Sequence, residues 1–308
     1  MKHDHDHGHT HDHAGRVDTA LRDSAAGIRA VKISLIALGI TALFQVAIVV
    51  TSGSVALLAD TIHNFSDALT AIPLWIAFSL SRRSATRRYT YGLGRAEDLA
   101  GLFVVAVIAV SAVVAAVQAI DRLLHPVPVS HIGWVAAAGL AGFVGNEIVA
   151  VYRIRVGRRI GSAALRADGM HARADGLTSL AVVLGAVGVA LGFPAADPII
   201  GLIIAAAILV VMVVAARDVF ARLLDSVDPA LVDTAYHTLE HQPGVIGVQR
   251  VRMRWIGLRL DADVELDVDP QLSLRQAHDL AHHAEHALTH AIPKLDTAVV
   301  HAYPAHAH

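Results

Sequence analysis

The 308-residue chain contains no cysteine and few charged side chains. The absence of cysteine excludes disulfides, thiolate zinc sites, iron–sulfur clusters and cysteine nucleophiles, so histidine and carboxylates are the only strong metal ligands that remain. Asp, Glu, Lys and Arg make up 17% of the residues, against roughly a quarter in ordinary soluble domains. Because 55% of the residues are hydrophobic, the composition indicates a membrane protein rather than a soluble enzyme.

The formal net charge is only −2, although the chain carries 20 histidines. A chain this close to neutrality lacks the basic surface on which nucleic-acid binding or a polybasic membrane tether depends. We therefore expect no nucleic-acid partner. The histidines are the second departure from ordinary composition.

Six stretches are long and apolar enough to cross a lipid bilayer, which requires about 20 mostly apolar residues. They cover residues 31–51, 55–80, 99–120, 132–152, 169–192 and 197–217. We predict a His-rich, disordered cytoplasmic tail over residues 1–24, a six-helix transmembrane domain over residues 25–222 and a cytoplasmic domain over residues 223–308.

The orientation follows from the distribution of arginine in the short connections. Ten arginines lie in the segments after the second and fourth spans, whereas the connections on the other side offer only Arg122. The asymmetry predicts a multi-pass protein of the cell (inner or plasma) membrane with both termini in the cytoplasm.

The C-terminal segment has the pattern of a small α+β domain. Helices are predicted over 229–242 and 273–290, and strands over 245–255, 258–268 and 297–303. In the second strand, apolar and charged residues alternate from Leu258 to Val268, which indicates a sheet with one wet face. The αββαβ order predicts a two-layer, ferredoxin-like fold.

Ionisable side chains within two spans are the strongest functional signal, because such groups are costly in hydrocarbon. His63 and Asp67 in span two have the same i, i+4 spacing as His171 and Asp175 in span five. This spacing stacks each pair on one helix face. A single such pair is commonly a buried hydrogen-bonded pair, but two pairs in two spans favour a shared site.

Two imidazole nitrogens and two carboxylates match a closed tetrahedral zinc site. Manganese, iron and cobalt are the alternatives, whereas Cu(I) prefers sulfur and Mg or Ca prefers oxygen. Asp60, one turn from His63, either lines a water or proton path or interacts with a helix dipole. Asp168 is expected to be a solvated group at the cytoplasmic start of span five.

The motifs resemble those of the cation diffusion facilitator family of metal–proton antiporters. The resemblance lies in GSVALLADTIHNFSDALT in span two, YTYGLGRAE before span three and LRADGMHARADGLTS entering span five. It extends over nearly the whole chain. The resemblance implies that His63, Asp67, His171 and Asp175 form the transport site, with zinc as the substrate.

The resemblance also implies a homodimer. Arg95 and Asp225 match a charge pair that ties the subunits together beneath the membrane. A second, regulatory zinc site at the dimer contact of the cytoplasmic domain would involve His278 and His301, with Asp263 in place of a histidine. The stretch SATRRYTYGLG lacks the His and Asp that bind a further metal in some members, so we expect that site to be absent.

Most of the remaining histidines lie near the two ends of the chain. An N-terminal tract, in which six histidines between His3 and His13 alternate mainly with aspartate, is either a loose metal chelator or a dispensable solvated tail. A second set recurs every four residues at His278, His282, His286 and His290. It could bind metal, sense pH or pack across a dimer.

We expect a proton-coupled antiporter that exports zinc from the cytoplasm, because zinc binding requires neutral histidine and ionised aspartate and therefore releases protons. A transporter of Mn, Fe or Co, a passive metal channel and a membrane-bound sensor are alternatives. An intramembrane metallohydrolase is disfavoured, because the sequence has no His-Glu-x-x-His motif and the two pairs supply a closed ligand set. We therefore predict no enzymatic activity.

Overall fold

The computed structural model describes residues 10–52, 71–124, 132–193 and 195–305. The N-terminal part is helical. Its helices are α1 (Thr10–Ser52), α2 (Ala71–Ser81), α3 (Ala96–Leu124), α4 (Ile132–Ile160), α5 (Ala163–Ala190) and α6 (Ala196–Leu223).

Five of these helices are long and apolar enough to cross a membrane, and α2 is a shorter apolar helix at the end of the predicted second span. Large apolar side chains such as Leu43, Val110 and Val210 are exposed on α1, α3 and α6. Apolar outer surfaces are expected where helices face lipid. The backbone hydrogen bonds are satisfied within each helix there, so the side chains are the groups that contact hydrocarbon. The predicted class of helical membrane protein is confirmed.

Helix α1 begins earlier than the predicted first span. Residues 10–24, predicted as part of a disordered tail, are helical in the structure. The stretch from Ala14 to Ala30 is rich in Ala and Arg, which are strong helix formers, so the helix continues N-terminally beyond the apolar run.

A tight turn joins α4 to α5. Gly161 has a φ of 74°, the left-handed conformation that commonly ends a helix and that glycine adopts without steric cost. Ser162 follows as the N-cap of α5, and its side chain accepts a hydrogen bond of 3.0 Å from the Leu165 amide. The two helices therefore run antiparallel as a hairpin.

The backbones of α4 and α5 approach closely within this hairpin. A Cβ added at Gly169 would lie 2.8 Å from Ile154 Cγ1 and 3.0 Å from the Ile154 amide nitrogen. Gly139 likewise leaves no room for a side chain beside Val183 and Ser179. Small residues at these positions permit the close packing by which helices associate in membranes.

The C-terminal part is an αββαβ domain, as predicted. It comprises α7 (Pro229–Glu240), β1 (Val245–Ile256), β2 (Arg259–Val268), α8 (Leu274–Ala291) and β3 (Leu295–Pro304). Strand β2 lies at the centre of the sheet, antiparallel to β1 and parallel to β3.

One face of this sheet is covered by the two helices and forms an apolar core. Leu260, Val264 and Leu266 of β2 are buried against Leu239 of α7 and Leu288 of α8. The intervening β2 residues form the other face. Arg250, Arg252 and Arg254 of β1 stand opposite Glu265, Asp263 and Asp261 of β2 in the strand register.

The chain packs as two compact units. One comprises Met1–Ser24, Ala85–Gly94 and Ala221–His308, and the other comprises Ala25–Ser84 and Arg95–Phe220. Within the first unit, Lys294 of the turn before β3 forms an ion pair of 3.0 Å with Asp23 of α1.

Candidate metal site

The His171–Asp175 pair lies in the first half of α5. His171 Nδ1 is 3.6 Å from Asp175 Oδ1, and both side chains are almost completely buried. The i, i+4 spacing places both groups on one helix face, as predicted. One imidazole and one carboxylate are thus held next to each other inside the helical unit.

A polar stripe runs along the same face of α5. Asp168, His171, Asp175 and Ser179 recur at intervals of three or four residues, and all four are buried. This periodicity keeps them on one side of a helix. The pair is therefore part of a longer polar line within an apolar helix.

The structure contradicts the expectation that Asp168 is solvated. Asp168 is fully buried, and its Oδ2 lies 2.9 Å from Nη1 of the equally buried Arg153 in α4. The expectation failed because α5 begins at Ala163 rather than near residue 169, so Asp168 lies within the helix. A buried carboxylate requires a charged partner, and α4 supplies it.

Arg153 is one of the ten arginines counted in the two basic segments, and the sequence analysis did not predict its burial. Helix α4 extends to Ile160, and Arg155, Arg158 and Arg159 are exposed there whereas Arg153 is buried. A usable signal existed. Arg153 and Asp168 are nearly equidistant from the Gly161–Ser162 turn, which is the spacing at which residues face each other across a helical hairpin.

Further buried polar groups surround α5. Asn146 of α4 is 5% exposed and faces Gly176, where an added Cβ would lie 3.3 Å from the Asn146 Cβ. Gln45 of α1 is also buried, and its Nε2 donates to the Ala138 carbonyl oxygen at 3.4 Å. These uncharged side chains were not singled out from the sequence, because an isolated Asn or Gln in an apolar run carries little signal.

Arg173 lies between the two candidate ligands in sequence but belongs to another face of α5. Its guanidinium donates to both carboxylate oxygens of Glu147, at 2.6 and 3.1 Å. The Arg173 side chain is 40% exposed, unlike His171 and Asp175. This ion pair is a further α4–α5 contact, separate from the polar stripe.

The other predicted ligands, His63 and Asp67, lie outside the described residues, as does Asp60. The imidazole and carboxylate of α5 supply two of the four predicted donors. Both are donors that zinc accepts at about 2.0–2.2 Å. The four-ligand set therefore stays a prediction.

Arg95 and Asp225, the predicted subunit charge pair, are both exposed. Arg95 directly precedes α3, whose first turn buries Glu97 and Asp98 near the positive end of the helix dipole. Asp225 follows α6 with a φ of 58°, which aspartate tolerates better than most residues. Their pairing across subunits stays a prediction.

The predicted cytoplasmic ligands do not converge within one chain. Asp263 projects from the exposed face of the sheet opposite Arg252, and His301 is exposed on β3 with its ring 4.5 Å from that of Tyr303. His278 is exposed on α8, which packs on the other face. Among the residues that the structure describes, no three His, Asp or Glu side chains form a group that could hold a metal ion.

Two carboxylates on the exposed sheet face are compensated by neighbouring polar groups, and a third is not. Arg250 forms an ion pair with Glu265, and Gln249 Nε2 donates to Asp267 Oδ1 at 2.6 Å. Burial, together with the nearby Asp296 carboxylate, raises the pKa of the Asp261 carboxyl above its ordinary value. Glu265 and Asp267 on this face are therefore paired, whereas Asp261 carries an electrostatic cost.

Models of two families match the chain. The cation efflux transmembrane domain matches residues 31–224, and the cation efflux protein cytoplasmic domain matches residues 227–305. The first match begins within α1 and continues to the end of α6. The second match covers all the helices and strands of the αββαβ domain.

Individual proteins extend the similarity. The chain is 68% identical over 292 residues to the probable cation efflux system protein Rv2025c of Mycobacterium tuberculosis (strain H37Rv), covering 95% of this chain and 88% of that protein. It is 25% identical over 252 residues to the magnetosome protein MamB of Paramagnetospirillum magneticum, covering 82% and 85% of the two chains.

Among solved structures, MamM-CTD 215-293 is 29% identical to the matched part, with 25% of this chain and 96% of that chain covered and a TM-score of 0.24. The family matches establish a membrane-spanning protein from a family of cation transporters rather than enzymes. The chain belongs to the cation efflux, or cation diffusion facilitator, family.

Proposed function

We propose that this protein is a proton-coupled antiporter that exports zinc from the cytoplasm through a site formed by His63, Asp67, His171 and Asp175. The observation that carries the proposal is the buried His171–Asp175 pair, whose Nδ1 and Oδ1 atoms are 3.6 Å apart within an apolar helix. Polar groups at such positions in membrane proteins mark ion pathways, because their desolvation is costly without a function.

The donor chemistry supports zinc as the substrate. Two nitrogen and two oxygen donors suit Zn²⁺. This ion binds both kinds of donor in tetrahedral sites, and its filled d shell imposes no other geometry. The chain has no thiolate with which to select Cu(I). Manganese, iron and cobalt are the competing substrates, because the groups around the ligands also contribute to selectivity.

The same ligands supply the coupling to protons. Metal binding requires neutral imidazole and ionised carboxylate. Binding therefore releases protons, and protonation of these ligands displaces the metal. Alternating exposure of one site to the two sides of the membrane, by rigid movement of helix groups, would then exchange zinc for protons. The tightly packed α4–α5 hairpin is suited to move as one such group.

Export from the cytoplasm rests on the predicted orientation. Apart from Arg153, which is buried against Asp168, nine arginines of the two basic segments remain to place these segments, and with them both termini, on the cytoplasmic side. Protons entering from outside would then drive zinc outward.

A homodimer is part of the proposal. Arg95 and Asp225 would pair beneath the membrane to join the subunits. Asp263, His278 and His301 would require a second copy to complete a regulatory zinc site, since Asp263 and His278 lie on opposite layers of one domain and Arg252 stands opposite Asp263.

The test of the site is zinc uptake by proteoliposomes under an imposed proton gradient, combined with zinc binding at equilibrium. Asp175→Asn should abolish uptake and lose one equivalent of high-affinity zinc, because a neutral amide cannot replace an anionic ligand. Arg173→Gln is the matched control. It lies on the same helix but on another face, and it should retain uptake.

Unchanged uptake and unchanged binding stoichiometry in Asp175→Asn would exclude the assigned site. Competition by Mn²⁺, Fe²⁺ and Co²⁺ in the same assay distinguishes zinc from its rival substrates. Zinc flux that ignores the proton gradient would indicate a passive channel, and absence of flux with intact binding would indicate a sensor.

A further inference from the structure

Helix α8 carries four exposed histidines at intervals of four residues, and the structure divides them into two different pairs. The rings of His278 and His282 meet edge to face with centroids 5.8 Å apart. The rings of His286 and His290 are closer, with centroids 4.4 Å apart, and their Nε2 atoms share a hydrogen bond of 3.3 Å, which a bound metal ion would replace. Only in the second pair are nitrogen atoms described at such a short separation.

The nitrogen separation in the second pair matches the geometry of a metal chelate. Two imidazole nitrogens bound to tetrahedral zinc at about 2.0–2.1 Å lie about 3.3 Å from each other. In His286 and His290 the Nε2 atoms already have this separation while remaining exposed. One small cation could contact both atoms without a change in the α8 backbone.

The surroundings favour two protein ligands rather than three. The nearest titratable neighbour on the stripe, His282, has its Nδ1 3.6 Å from Glu285 Oε2. In the described part of the chain, no three His, Asp or Glu side chains form a group that could hold a metal ion, so water would fill the other coordination positions. Nitrogen donors select borderline metals such as Zn²⁺, Ni²⁺ and Cu²⁺ over Mg²⁺ and Ca²⁺.

We propose that His286 and His290 form a two-imidazole binding site for a borderline divalent metal ion, with Zn²⁺ as the probe. The site lies on the αββαβ domain, outside the apolar helices, and shares no residue with the proposed transport site or with Asp263, His278 and His301. It would give the cytoplasmic domain a direct contact with the metal.

The test is protection of individual histidines from diethylpyrocarbonate in the full-length purified protein, measured by peptide mass spectrometry. A metal buffer fixes free Zn²⁺, so that the N-terminal histidine tract does not deplete it. We expect the extent of modification of His286 and of His290 to fall with the same midpoint in free Zn²⁺ concentration. Mg²⁺ at the same concentration should give no protection.

His286→Gln should shift the protection of His290 to at least roughly tenfold higher Zn²⁺, because the second ligand no longer acts at high effective concentration. The matched control is His237→Gln. It removes one member of another i, i+4 pair, formed by His237 of α7 and His241 directly after the helix, whose rings are stacked with centroids 4.3 Å apart. It should leave His286 and His290 protected.

Two results would overturn the proposal. One is equal reactivity of His286 and His290 with and without saturating Zn²⁺. The other is protection of His290 that survives His286→Gln, which would mean that the histidines bind metal separately or are shielded by another change. Neither result depends on zinc transport, so both are distinguishable from failure of the proposed antiport.

Discussion

Individual titratable residues differ in whether the fold compensates their charge. His171 and Asp175 are buried side by side, and Asp168 is buried against Arg153. Asp261, on the αββαβ domain, is only partly buried but lies near the carboxylates of Asp296 and Asp263. At the scale of the residue, therefore, an aspartate serves as a candidate ligand at position 175, as an ion-pair partner at position 168 and as a source of electrostatic cost at position 261.

Asp261 gives a prediction for the pH dependence of stability. Burial and the Asp296 carboxylate raise the pKa of this group in the folded state from 3.8, so its contribution to stability is present at low pH and is lost as the pH rises through the folded pKa. Asp261→Asn should therefore raise Tm at pH 7, and the difference from wild type should shrink as the pH falls toward about 4.

Thermal unfolding of the purified protein at several pH values measures this effect. Asp279→Asn is the control, because Asp279 is exposed on α8 and its replacement removes no partly buried carboxylate. A Tm for Asp261→Asn below that of wild type at pH 7 would show that its attraction to Arg259 and Arg254 outweighs burial.

The sequence was sufficient to predict the adjacency of His171 and Asp175, because i, i+4 spacing within one helix needs no knowledge of tertiary structure. The burial of Asp168 was not predicted, because it depends on where α5 begins and on a partner contributed by another helix. The sequence signal for that partner is non-local, since it lies in the spacing of Arg153 and Asp168 about the Gly161–Ser162 turn.

At the scale of the element, a turn, close backbone packing and two ion pairs hold the α4–α5 hairpin together. The turn at Gly161 and Ser162 sets its geometry, and glycines allow the two backbones to come close. Two ion pairs, Arg153–Asp168 and Arg173–Glu147, join the helices.

Gly169→Ala should destabilise this hairpin by about 1–3 kcal/mol, since overpacking a close contact forces neighbouring atoms to move. The added Cβ would meet Ile154 at 2.8 Å. Gly39→Ala in α1 is the matched control, because nothing lies within 4 Å of its added Cβ. We expect that change to be neutral or to stabilise the helix by up to about 1 kcal/mol.

Reversible unfolding in mixed detergent micelles, followed by circular dichroism, gives both free energies. Equal effects of the two glycine substitutions would contradict the close α4–α5 packing.

The buried ion pair predicts a non-additive double-mutant cycle. Arg153→Met or Asp168→Asn alone leaves a buried charge without its partner and should cost roughly 3–5 kcal/mol. The double substitution should cost less than either single change, because it removes both charges. The same unfolding measurement gives the coupling free energy, and additive effects would mean that the two groups do not interact.

The elements of the αββαβ domain were predicted within about two residues at most boundaries, because alternation along β2 and helical spacing in α8 are local patterns. The helix ends in the membrane domain were predicted less well. Helices α1, α4 and α5 extend past the apolar stretches, since helix formation depends on backbone hydrogen bonding rather than on hydrophobicity alone.

At the scale of the whole molecule, the central expectation is a two-part protein with apolar helices and a water-facing α+β domain. The family matches over residues 31–224 and 227–305 agree with that organisation. The orientation, the direction of transport and the transported metal are proposals.

The absence of native cysteine makes the orientation directly measurable with single cysteines. Ala85→Cys, in the exposed connection between α2 and α3, should react with a membrane-impermeant maleimide only from the cytoplasmic side. Ala195→Cys, between α5 and α6 and also exposed, should react only from outside. Permeabilised cells should label both, and the opposite pattern in intact cells would reverse the proposed orientation.

The most direct test of the account is simultaneous measurement of zinc and proton fluxes in proteoliposomes that contain the wild-type protein. Zinc should enter only while protons leave, and collapse of the pH gradient with an ionophore should abolish gradient-driven zinc accumulation. Zinc accumulation that continues unchanged after the gradient is collapsed would contradict proton-coupled antiport.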